Sequence, residues 1–344
     1  MTIDHTGGMA QALDFARVEP PSVEGFGENH AVWIFADDGR HAILHQHLNA
    51  PAGSYGGDPA LGWAARAERF TIAMPGGRRL AYFGQGFGTT SERPTGGRLA
   101  FRCEDPFRRW TGGFAGPVRD TTAAGLIAGP AAEAPQVEAS FAFEAIMAAP
   151  PWIQGALLTK AGLPPDAEGM GFIGGDRYEQ LFRGTATVQV GAETVSYACT
   201  GLRTHRWGPR NTAAMLGHSW LTALFPSGRA FGLMRFPRAD GTVGFSEGFV
   251  FSGDGELNLA EVLDSPWLTH LQDAGERFLI RLRVGGETIE IAGETAAHTI
   301  NHSYGNIHNE RGFTMSHGMV RCDWDGETAY GLIERSGFCP EAQL

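Results

Sequence analysis

Short runs that alternate apolar and polar residues, separated by glycine-containing turns, recur along the whole chain. Ala31–Phe35 and His41–Leu48 flank the pair Asp38-Gly39, and Val137–Ala145 alternates Val, Ala and Phe with Glu and Ser. Such alternation is typical of strands with one buried face, and Asp-Gly between two runs is a strong hairpin signal. The chain has 49 glycines and 19 prolines without a collagen-like period. The sequence therefore predicts an all-β protein of many short antiparallel strands.

The length of the chain indicates more than one folding unit. A chain of 344 residues exceeds what one hydrophobic core usually supports. Strand-like runs are about as numerous after residue 185 as before it, which favours two similar β-units in tandem. We therefore expect a flexible lead-in over residues 1–24, an N-terminal β domain over 25–180 and a C-terminal β domain over 181–344.

Helices are expected to be few and short. Trp152–Ala161 is predicted to form one, because proline and glycine bound an apolar run, and Leu257–His270 is predicted to form another, interrupted at Pro266. The Ala/Gly/Pro-rich segments Ala123–Pro135 and Pro164–Gly175 are interpreted as loops. The second of them either covers a pocket or joins the two domains.

Charge and composition exclude several kinds of partner. The net charge is −11 and long runs of Lys and Arg are missing from the sequence, so nucleic acid is a poor candidate. Residues 1–20 do not form a signal peptide and no apolar run is long enough to span a membrane, which predicts a cytoplasmic protein. No cofactor motif was identified, and the oligomeric state stays open, a homodimer included.

The cysteines point to reduced, buried thiols. They are far apart and form no Cys-x-x-Cys pair, which disfavours a zinc knuckle and a disulfide scaffold. The four are Cys103, Cys199, Cys322 and Cys339.

Gly201–Asn211 concentrates three arginines, a histidine and a tryptophan in eleven residues. In an extended chain Arg203, His205 and Trp207 leave the same face, which would place an imidazole between a cation and an indole. That grouping would suit a site for an apolar ligand with one reactive position. In the alternative interpretation, Trp207 plugs the bottom of a barrel, Arg203 and Arg210 bond to strand-end carbonyls, and His205 fills a gap.

Two groups of histidines raise the question of a metal. His41, His45 and His47 share parity on one strand, and His30 could add a fourth ligand; we interpret that face as solvated. The second group follows His298 in a polar loop, and its spacing fits no helical His-x-x-x-His pair. Its members are His302, His308 and His317. We expect no metal at either place, and we retain His317, at a strand entrance, as a pocket residue.

Three segments resemble a known family. Tyr178–Gln180, Gly201–Arg210 and Tyr330–Arg335 are similar to the tandem lipocalin-like family that includes carotenoid 1,2-hydratase and kievitone hydratase (AttH/CrtC-like proteins). The resemblance spans about residues 25–335 and is strongest after residue 176. It implies two tandem lipocalin-like (calycin-type) antiparallel β-barrels or sandwiches with a few short helices. Because the wider group resembles tocopherol cyclase and fungal decalin-forming cyclases, it also implies an apolar terpenoid, polyketide or aromatic-like substrate and cofactor-independent chemistry.

The resemblance and the local pattern together give the expected site. In the family's hydratases the histidine and tryptophan of this motif are implicated in catalysis, which implies such roles for His205 and Trp207. His218 is a second proton carrier, and Glu179 or Glu334 could supply a carboxylate. The full expected set is His205, Trp207, His218 and Glu179 as catalytic residues, and Arg203, Arg210, Trp220, Tyr178, His317 and Glu334 as substrate-binding residues. For each glutamate, a structural ion pair with Arg183, Arg210 or Arg335 is the alternative.

The chain departs from the family at several positions, and two functions stay open. Thr204, Arg206 and Asn211 stand where many relatives have an acid, a serine and an acid, and Ala230–Phe236 lacks the aspartate of the hydratases. The first hypothesis is a cofactor-independent lyase or isomerase of the hydratase, dehydratase or cyclase type. The second is a non-catalytic carrier of a lipid-like molecule. The cluster of titratable residues favours the enzyme, because carrier pockets are lined by aliphatic and aromatic groups.

Overall fold

The computed structural model describes residues 3–212, 215–300 and 313–338, and it consists of two antiparallel β-barrels. The first ten strands, in chain order, are β1 (Phe26–Ala36), β2 (Ala42–Ala50), β3 (Arg66–Ala73), β4 (Arg78–Gly86), β5 (Ala100–Asp105), β6 (Arg109–Thr122), β7 (Gln136–Met147), β8 (Trp152–Ile153), β9 (Asp176–Val190) and β10 (Glu193–Pro209). The other eight are β11 (His218–Leu224), β12 (Ala230–Pro237), β13 (Val243–Phe251), β14 (Asn258–Asp264), β15 (Arg277–Val284), β16 (Glu287–Ile300), β17 (Phe313–Trp324) and β18 (Glu327–Phe338). The all-β class and the tandem lipocalin-like barrels implied by the resemblance are confirmed.

The first barrel closes because β10 pairs with both β1 and β9. The ring runs β10-β1-β2-β3-β4-β6-β7-β9, with β5 and β8 attached to its side. The expected domain division at residues 180 and 181 is therefore wrong, since it falls inside β9 and would remove β10 from its own barrel. The described strands change barrels between Pro209 and His218.

The second barrel is a meander of β11 to β18 that closes through pairing of β11 with β18. The helix predicted over Leu257–His270 is wrong, because this segment forms β14 between β13 and β15. Ala260 and Val262 are buried while Glu261 between them is exposed. That period of two belongs to a strand, and the strand is needed to close the ring.

Three short helices lie between strands of the first barrel. They are α1 (Ala123–Ala128), α2 (Ala156–Lys160) and α3 (Ala167–Ile173). The loops expected over Ala123–Pro135 and Pro164–Gly175 each contain one of them. Thr122 and Asp166 start α1 and α3 because their side chains accept hydrogen bonds from Gly125 N and Gly169 N, as N-cap residues do.

The lead-in is packed against the first barrel. Asp14 ends a 3₁₀ turn (Gln11–Asp14) and is fully buried. It accepts hydrogen bonds from Phe107 N at 2.6 Å and from Trp110 Nε1 at 2.9 Å. The expectation of a flexible lead-in is therefore wrong at Gln11–Asp14, because the buried carboxylate of Asp14 accepts hydrogen bonds from the first barrel.

Each barrel has its own core, and a third apolar cluster joins the two barrels. Val32, Ile34 and Phe182 lie in the first core, whereas the next residues along β1, such as Trp33, belong to the shared cluster together with Trp220. Trp33 and Trp220 meet edge to face, with ring centroids 5.1 Å apart. Alternation along these strands therefore sends one set of side chains into a barrel and the other set into the contact between barrels.

Candidate active site between the barrels

A small polar cavity lies where β1, β2 and β10 of the first barrel face β11, β17 and β18 of the second. Its volume is about 40 Å³, which is room for a few water molecules. Side chains from both barrels line it, among them Trp33, His47, Trp220, His317 and Glu334. The cavity is thus built by the outward faces of two closed barrels, and neither barrel could form it alone.

Glu334 of β18 joins two histidines of the second barrel. Its Oε1 lies 2.9 Å from His218 Nε2, and its Oε2 lies 2.5 Å from His317 Nδ1. Burial acts to raise the pKa of Glu334, but the neighbouring His317 and His218 outweigh it and hold this pKa well below its usual value. The carboxylate therefore stays ionised between the two rings, and it can orient His317 through Nδ1.

Among the described residues, neither ring nitrogen of His317 makes a hydrogen bond, although its Nδ1 contacts the Glu334 carboxylate. Its Nε2 is buried and has no hydrogen-bond partner among the described residues. The same is true of His47 Nε2, while His47 Nδ1 lies 3.0 Å from Asn29 Nδ2. Since buried polar atoms are normally hydrogen-bonded, two imidazoles of one cavity have nitrogens that a bound molecule could use.

His45 and His47 reach this cavity because β2 contains a bulge. The register of β2 against β3 shifts between Leu44 and His47, and His45 has a φ of 53°, in the left-handed region. His45 stacks on His317 with ring centroids 3.7 Å apart. The interpretation of these histidines as a solvated face, opposite Leu44, is wrong because the strand's outer face is covered by the second barrel.

Trp220 and Trp33 form an aromatic wall beside the histidines. Trp33 contacts the ring of His47 edge to face at 5.2 Å. The guanidinium of Arg177 lies 4.3 Å from the centroid of the Trp220 ring, within cation–π range. This wall combines an apolar surface with electron-rich faces at the polar cavity.

Glu179 lies behind Trp220 and outside the lining of the cavity. Its Oε2 accepts a hydrogen bond from Trp220 Nε1 at 3.0 Å, and its Oε1 lies 2.9 Å from Arg177 Nη2. Burial raises the pKa of Glu179 to about 7, against the opposing effect of Arg177. The structure thus gives Glu179 a contact with the aromatic wall and an ion pair, but the partner is Arg177 and not Arg183, Arg210 or Arg335 as the sequence suggested.

His205 lies in a second polar group, inside the first barrel. Its Nδ1 lies 3.0 Å from the carbonyl oxygen of Leu13, and its Nε2 lies 3.1 Å from Glu28 Oε1. Burial lowers the pKa of His205 while Glu28 opposes that shift. Both ring nitrogens are engaged and the ring is fully buried, so His205 is not among the residues that line the cavity between the barrels.

Arg203 belongs to the same interior group. Its Nη2 donates to Asp14 Oδ1 at 2.6 Å and to the hydroxyl of Tyr178 at 3.1 Å, and that hydroxyl also bonds to Asp14. Burial alone would lower the pKa of Arg203, but Asp14 and Tyr178 raise it. A buried arginine paired in this way is a structural ion pair.

Trp207 closes the interior group near the barrel's end. Its Nε1 donates to Asp176 Oδ2 at 2.9 Å, and the guanidinium of Arg17 lies 4.7 Å from its ring centroid. The expectation that Arg203, His205 and Trp207 share one face is correct. That face points into the first barrel, because Phe182 and Cys199, on the same side of β9 and β10, lie in its core.

The ten residues expected from the sequence therefore occupy three places. Four line the cavity between the barrels: Arg210, Trp220, His317 and Glu334. Two lie directly behind it, His218 and Glu179. Four lie inside the first barrel, away from the cavity: Tyr178, Arg203, His205 and Trp207. The cavity residues Trp33 and Asn29 were not predicted from the sequence. They lie on β1, which is buried on both faces, and the second burying surface is the other barrel.

A metal fits the interior group poorly. Ligand atoms of Glu28, His30 and His205 lie within 4.8 Å of one another. However, Arg66 Nη2 lies 3.2 Å and Arg17 Nη1 lies 3.1 Å from the Glu28 carboxylate. Two guanidinium groups already neutralise this carboxylate, so a further cation would meet like charge. Of the second histidine group in the sequence, His302 and His308 lie outside the described residues.

A larger, mostly apolar chamber adjoins the polar cavity. Its volume is about 560 Å³, and His45 lines both spaces. Phe70, Tyr82 and Phe83 of the first barrel and Ile300 of the second contribute to its wall. The two spaces therefore meet at His45. The chamber suits the apolar part of a bound molecule, and the cavity suits its polar, reactive part.

Comparison with known proteins agrees with this architecture. A family described as "Domain of unknown function (DUF7064)" matches residues 66–337, which include most of both barrels. The chain belongs to this family. No curated protein sequence matches the chain. No helix in the described part of this DUF7064 member has the length and apolar character needed to cross a membrane.

Three solved structures share the fold over nearly the whole chain. An AttH-like protein from Nitrosomonas europaea is 14% identical, with a TM-score of 0.59 over 91% of this chain and 92% of that one. Kievitone hydratase from Nectria haematococca is 11% identical, with a TM-score of 0.53 over 98% and 96%. CghA with Sch210972 is 10% identical, with a TM-score of 0.51 over 98% of each chain. At these identities the likeness establishes the fold.

Proposed function

We propose that this protein is a cofactor-independent lyase or isomerase, of the hydratase, dehydratase or cyclase type, that acts on an apolar small molecule between its barrels. The proposal rests on the contacts and position of His317. The Nδ1 of this buried imidazole contacts the Glu334 carboxylate, and its Nε2 faces the cavity with no hydrogen-bond partner among the described residues. A carboxylate that orients a histidine from behind is a recurring arrangement for proton transfer.

The neighbouring groups suit acid–base chemistry on an alkene or enone. His317 Nε2 would deliver a proton to the substrate, and His47 Nε2 would accept one from water or from an adjacent carbon. Burial, with His317 as the next cause, lowers the pKa of His47 well below its usual value, so this ring is neutral at pH 7 and available as a base. The face of Trp33 would stabilise positive charge that develops on the substrate, whereas the ring of Trp220 already carries the guanidinium of Arg177.

His218 is a positioning residue in this scheme. Its Nε2 bonds to Glu334 Oε1 and its Nδ1 lies 2.6 Å from Ser336 Oγ. It fixes the carboxylate that in turn fixes His317. The fold shared with kievitone hydratase and with the cyclase CghA supports a hydratase or cyclase chemistry.

Product analysis in labelled water tests the proposal. The protein would be incubated with a panel of isoprenoid, polyketide-like and aromatic alkenes and enones in H₂¹⁸O, and the products followed by chromatography and mass spectrometry. Hydration adds one labelled water; cyclisation leaves the mass unchanged and shifts the retention time.

Variants separate catalysis from carriage in the same assay. His317→Gln should lower turnover by about 10²–10⁴-fold, the usual contribution of a general acid or base. His41→Gln, a half-buried histidine outside the cavity that stacks on Tyr197, should leave it unchanged. A carrier, the alternative function, would bind members of the panel and release them unaltered, and that result would refute the proposal.

A further inference from the structure

The apolar chamber beside His45 has the size and place of a separate binding compartment. Its volume of about 560 Å³ falls within the roughly 300–1,000 Å³ typical of small-molecule sites. The polar cavity, at about 40 Å³, cannot hold an organic molecule of that size. A substrate that reacts at the histidines therefore needs room elsewhere for the rest of its body.

The chamber extends across four neighbouring strands of the first barrel. Strand register sets His47 of β2 opposite Arg69 of β3, and Arg69 opposite Phe83 of β4. Ala81 of β4 is opposite Arg119 of β6. Three strand spacings of about 4.8 Å separate β2 from β6, so the histidine side and the Arg119 side lie about 14 Å apart. The space is elongated and crosses the strands.

The wall of the chamber is apolar for most of its length. Leu126 of α1, Pro130 and Ala131 cover it from one side, and Ile300 of β16 contributes from the second barrel. Phe83 is 51% exposed, so the chamber reaches the protein surface there. A molecule could enter past Phe83 and lie along the strands toward His45.

The charges in this wall have one sign. Among the described residues that line the chamber, Arg69 and Arg119 carry charge and no carboxylate is present. Arg69 lies over the ring of Phe83 at 5.5 Å. Arg119 donates from Nη1 to the carbonyl oxygen of Ala134 at 2.9 Å, a bond that leaves the guanidinium its full positive charge. In a protein of net charge −11, a chamber whose charged residues in the described part of the chain are all cations is a local feature that favours an anion.

We propose that this chamber binds an amphipathic organic acid, with the carboxylate at Arg119 and the apolar chain directed along the strands to His45. The proposal names the substrate class for the site between the barrels. It rests on the proposed function for one point, that the chain end at His45 is the end that reacts.

Calorimetry with two probes of equal chain length tests the binding. Decanoate and 1-decanol differ in their head group, and extended decanoate spans about the distance between Arg119 and His45. We expect decanoate to bind the full-length protein at least about tenfold more tightly, because a charge-assisted hydrogen bond to arginine is available only to the acid. Equal affinities for the acid and the alcohol would overturn the proposal.

Two pairs of variants locate the bound probe. Ala81→Trp fills the chamber and should weaken both probes about tenfold or more, whereas Ala115→Trp, on the exposed face of β6, should not. Arg119→Gln should reduce the preference for decanoate to about that of the alcohol, and Arg109→Gln, on the same strand, should preserve it. Undiminished binding by both Ala81→Trp and Arg119→Gln would place the probes elsewhere and refute the proposal.

The binding result is independent of turnover. If the panel assay shows no product with any compound while decanoate behaves as expected, the proposed function fails and the acid-binding chamber stands. If products form but the probes bind equally to the wild type and all four variants, the chamber proposal fails and the catalytic proposal stands.

Discussion

The two buried polar groups of this protein differ in how their hydrogen-bonding atoms are occupied. We call Asp14, Glu28, Arg203 and His205 the barrel cluster, and His45, His47, His218, His317 and Glu334 the interface cluster. In the barrel cluster, both nitrogens of His205 are engaged and the carboxylate of Asp14 accepts from five residues. In the interface cluster, His47 and His317 each have an Nε2 at a cavity with no hydrogen-bond partner in the described part of the chain.

This difference separates a polar cluster that stabilises the fold from one that could bind a molecule. A cluster that lies away from both cavities stabilises the fold and offers nothing to a ligand, whereas unbonded nitrogens at a cavity leave capacity for one. The barrel cluster is not fully satisfied, since Arg203 Nε and Nη1 have no hydrogen-bond partner among the described residues, but Arg203 lines neither cavity. His30 is a second exception within the first barrel, since its Nε2 has no hydrogen bond among the described residues. That atom lies 4.0 Å from Glu28 and its ring stacks on His205, and neither cavity described above includes it. Judged by residue types alone, the barrel cluster would have been the better candidate for the active site.

Removing Asp14 should produce the largest loss of stability. Asp14→Ala leaves the buried Arg203 without its carboxylate, so the free energy of unfolding should fall by about 3–5 kcal/mol. Glu144→Gln is the control, because the Arg109–Glu144 pair is exposed and such pairs contribute less than about 1 kcal/mol. Urea denaturation measures both. Equal losses would mean that the barrel cluster is not a structural core.

Acid should weaken the contact between barrels before it weakens the barrel cluster. Burial, with Arg335 as the next cause, lowers the pKa of His298 to about 4. Because the unfolded chain binds this proton below about pH 6.5, stability is lost as pH falls from about 6.5 to 4, by up to about 3 kcal/mol. His298 belongs to the contact between the barrels, because Arg79 of the first barrel donates a hydrogen bond to its backbone carbonyl oxygen.

The variant His298→Asn isolates that titration. It retains a donor for the carbonyl of Gln272, to which His298 Nδ1 bonds at 2.8 Å, and it cannot titrate. The dependence of unfolding free energy on pH between 6.5 and 4 should therefore become shallower by up to about 1.4 kcal/mol per pH unit. Asp14→Ala should leave the slope between pH 6.5 and 5 unchanged, because the pKa of Asp14 is lowered below its ordinary value. An unchanged slope in His298→Asn would contradict the assignment.

The hydrogen bond from Trp220 of the aromatic wall to Glu179 should contribute moderately to the free energy of unfolding. Trp220→Phe removes a hydrogen bond to a carboxylate, for which we expect a loss of about 2 kcal/mol. Trp63→Phe is the matched control, since Trp63 Nε1 donates to a neutral carbonyl, that of Arg17, at 3.2 Å. A double-mutant cycle of Trp220→Phe with Glu179→Gln measures the coupling. A coupling near zero would remove Glu179 from the support of the interface cluster.

The smallest effect is expected from a single hydroxyl contact between the barrels. Thr299 Oγ1 donates to Thr71 Oγ1 at 3.1 Å, and both residues are buried. Thr299→Val should cost about 1 kcal/mol in unfolding free energy. Thr187→Val breaks a similar bond to Ser196 that is exposed and should cost less. A larger loss for the exposed pair would show that burial between the barrels does not strengthen this hydroxyl contact.

Much of the fold could be predicted from alternation and turns, since the hairpin at Asp38-Gly39 is present and Gly39 has a φ of 69°. The shared face of Arg203, His205 and Trp207 could be predicted as well. Which side that face takes could not, because β1 and β10 are buried on both sides in this region. Alternation gives two faces without saying which one lies inside a barrel.

The candidate site was harder to predict for two local reasons. The bulge at His45 shifts the register of β2, and a bulge leaves no mark in the pattern of apolar residues. The cavity also depends on pairs such as His45 with His317, which come from different barrels and meet only after the barrels dock. The resemblance to hydratases implies catalytic roles for His205 and Trp207. From the sequence, His317 is predicted only as a pocket residue, and Glu334 as a substrate-binding residue that could also supply a carboxylate.

The most direct test compares His205→Gln with His218→Gln in two measurements, turnover per folded molecule and free energy of unfolding. If catalysis takes place between the barrels, His205→Gln should destabilise the protein and keep its turnover. His218→Gln should lose most of its turnover, because Glu334 and His317 lose their positioning, with a smaller loss of stability. The reverse pattern, turnover lost with His205 and retained without His218, would contradict the account.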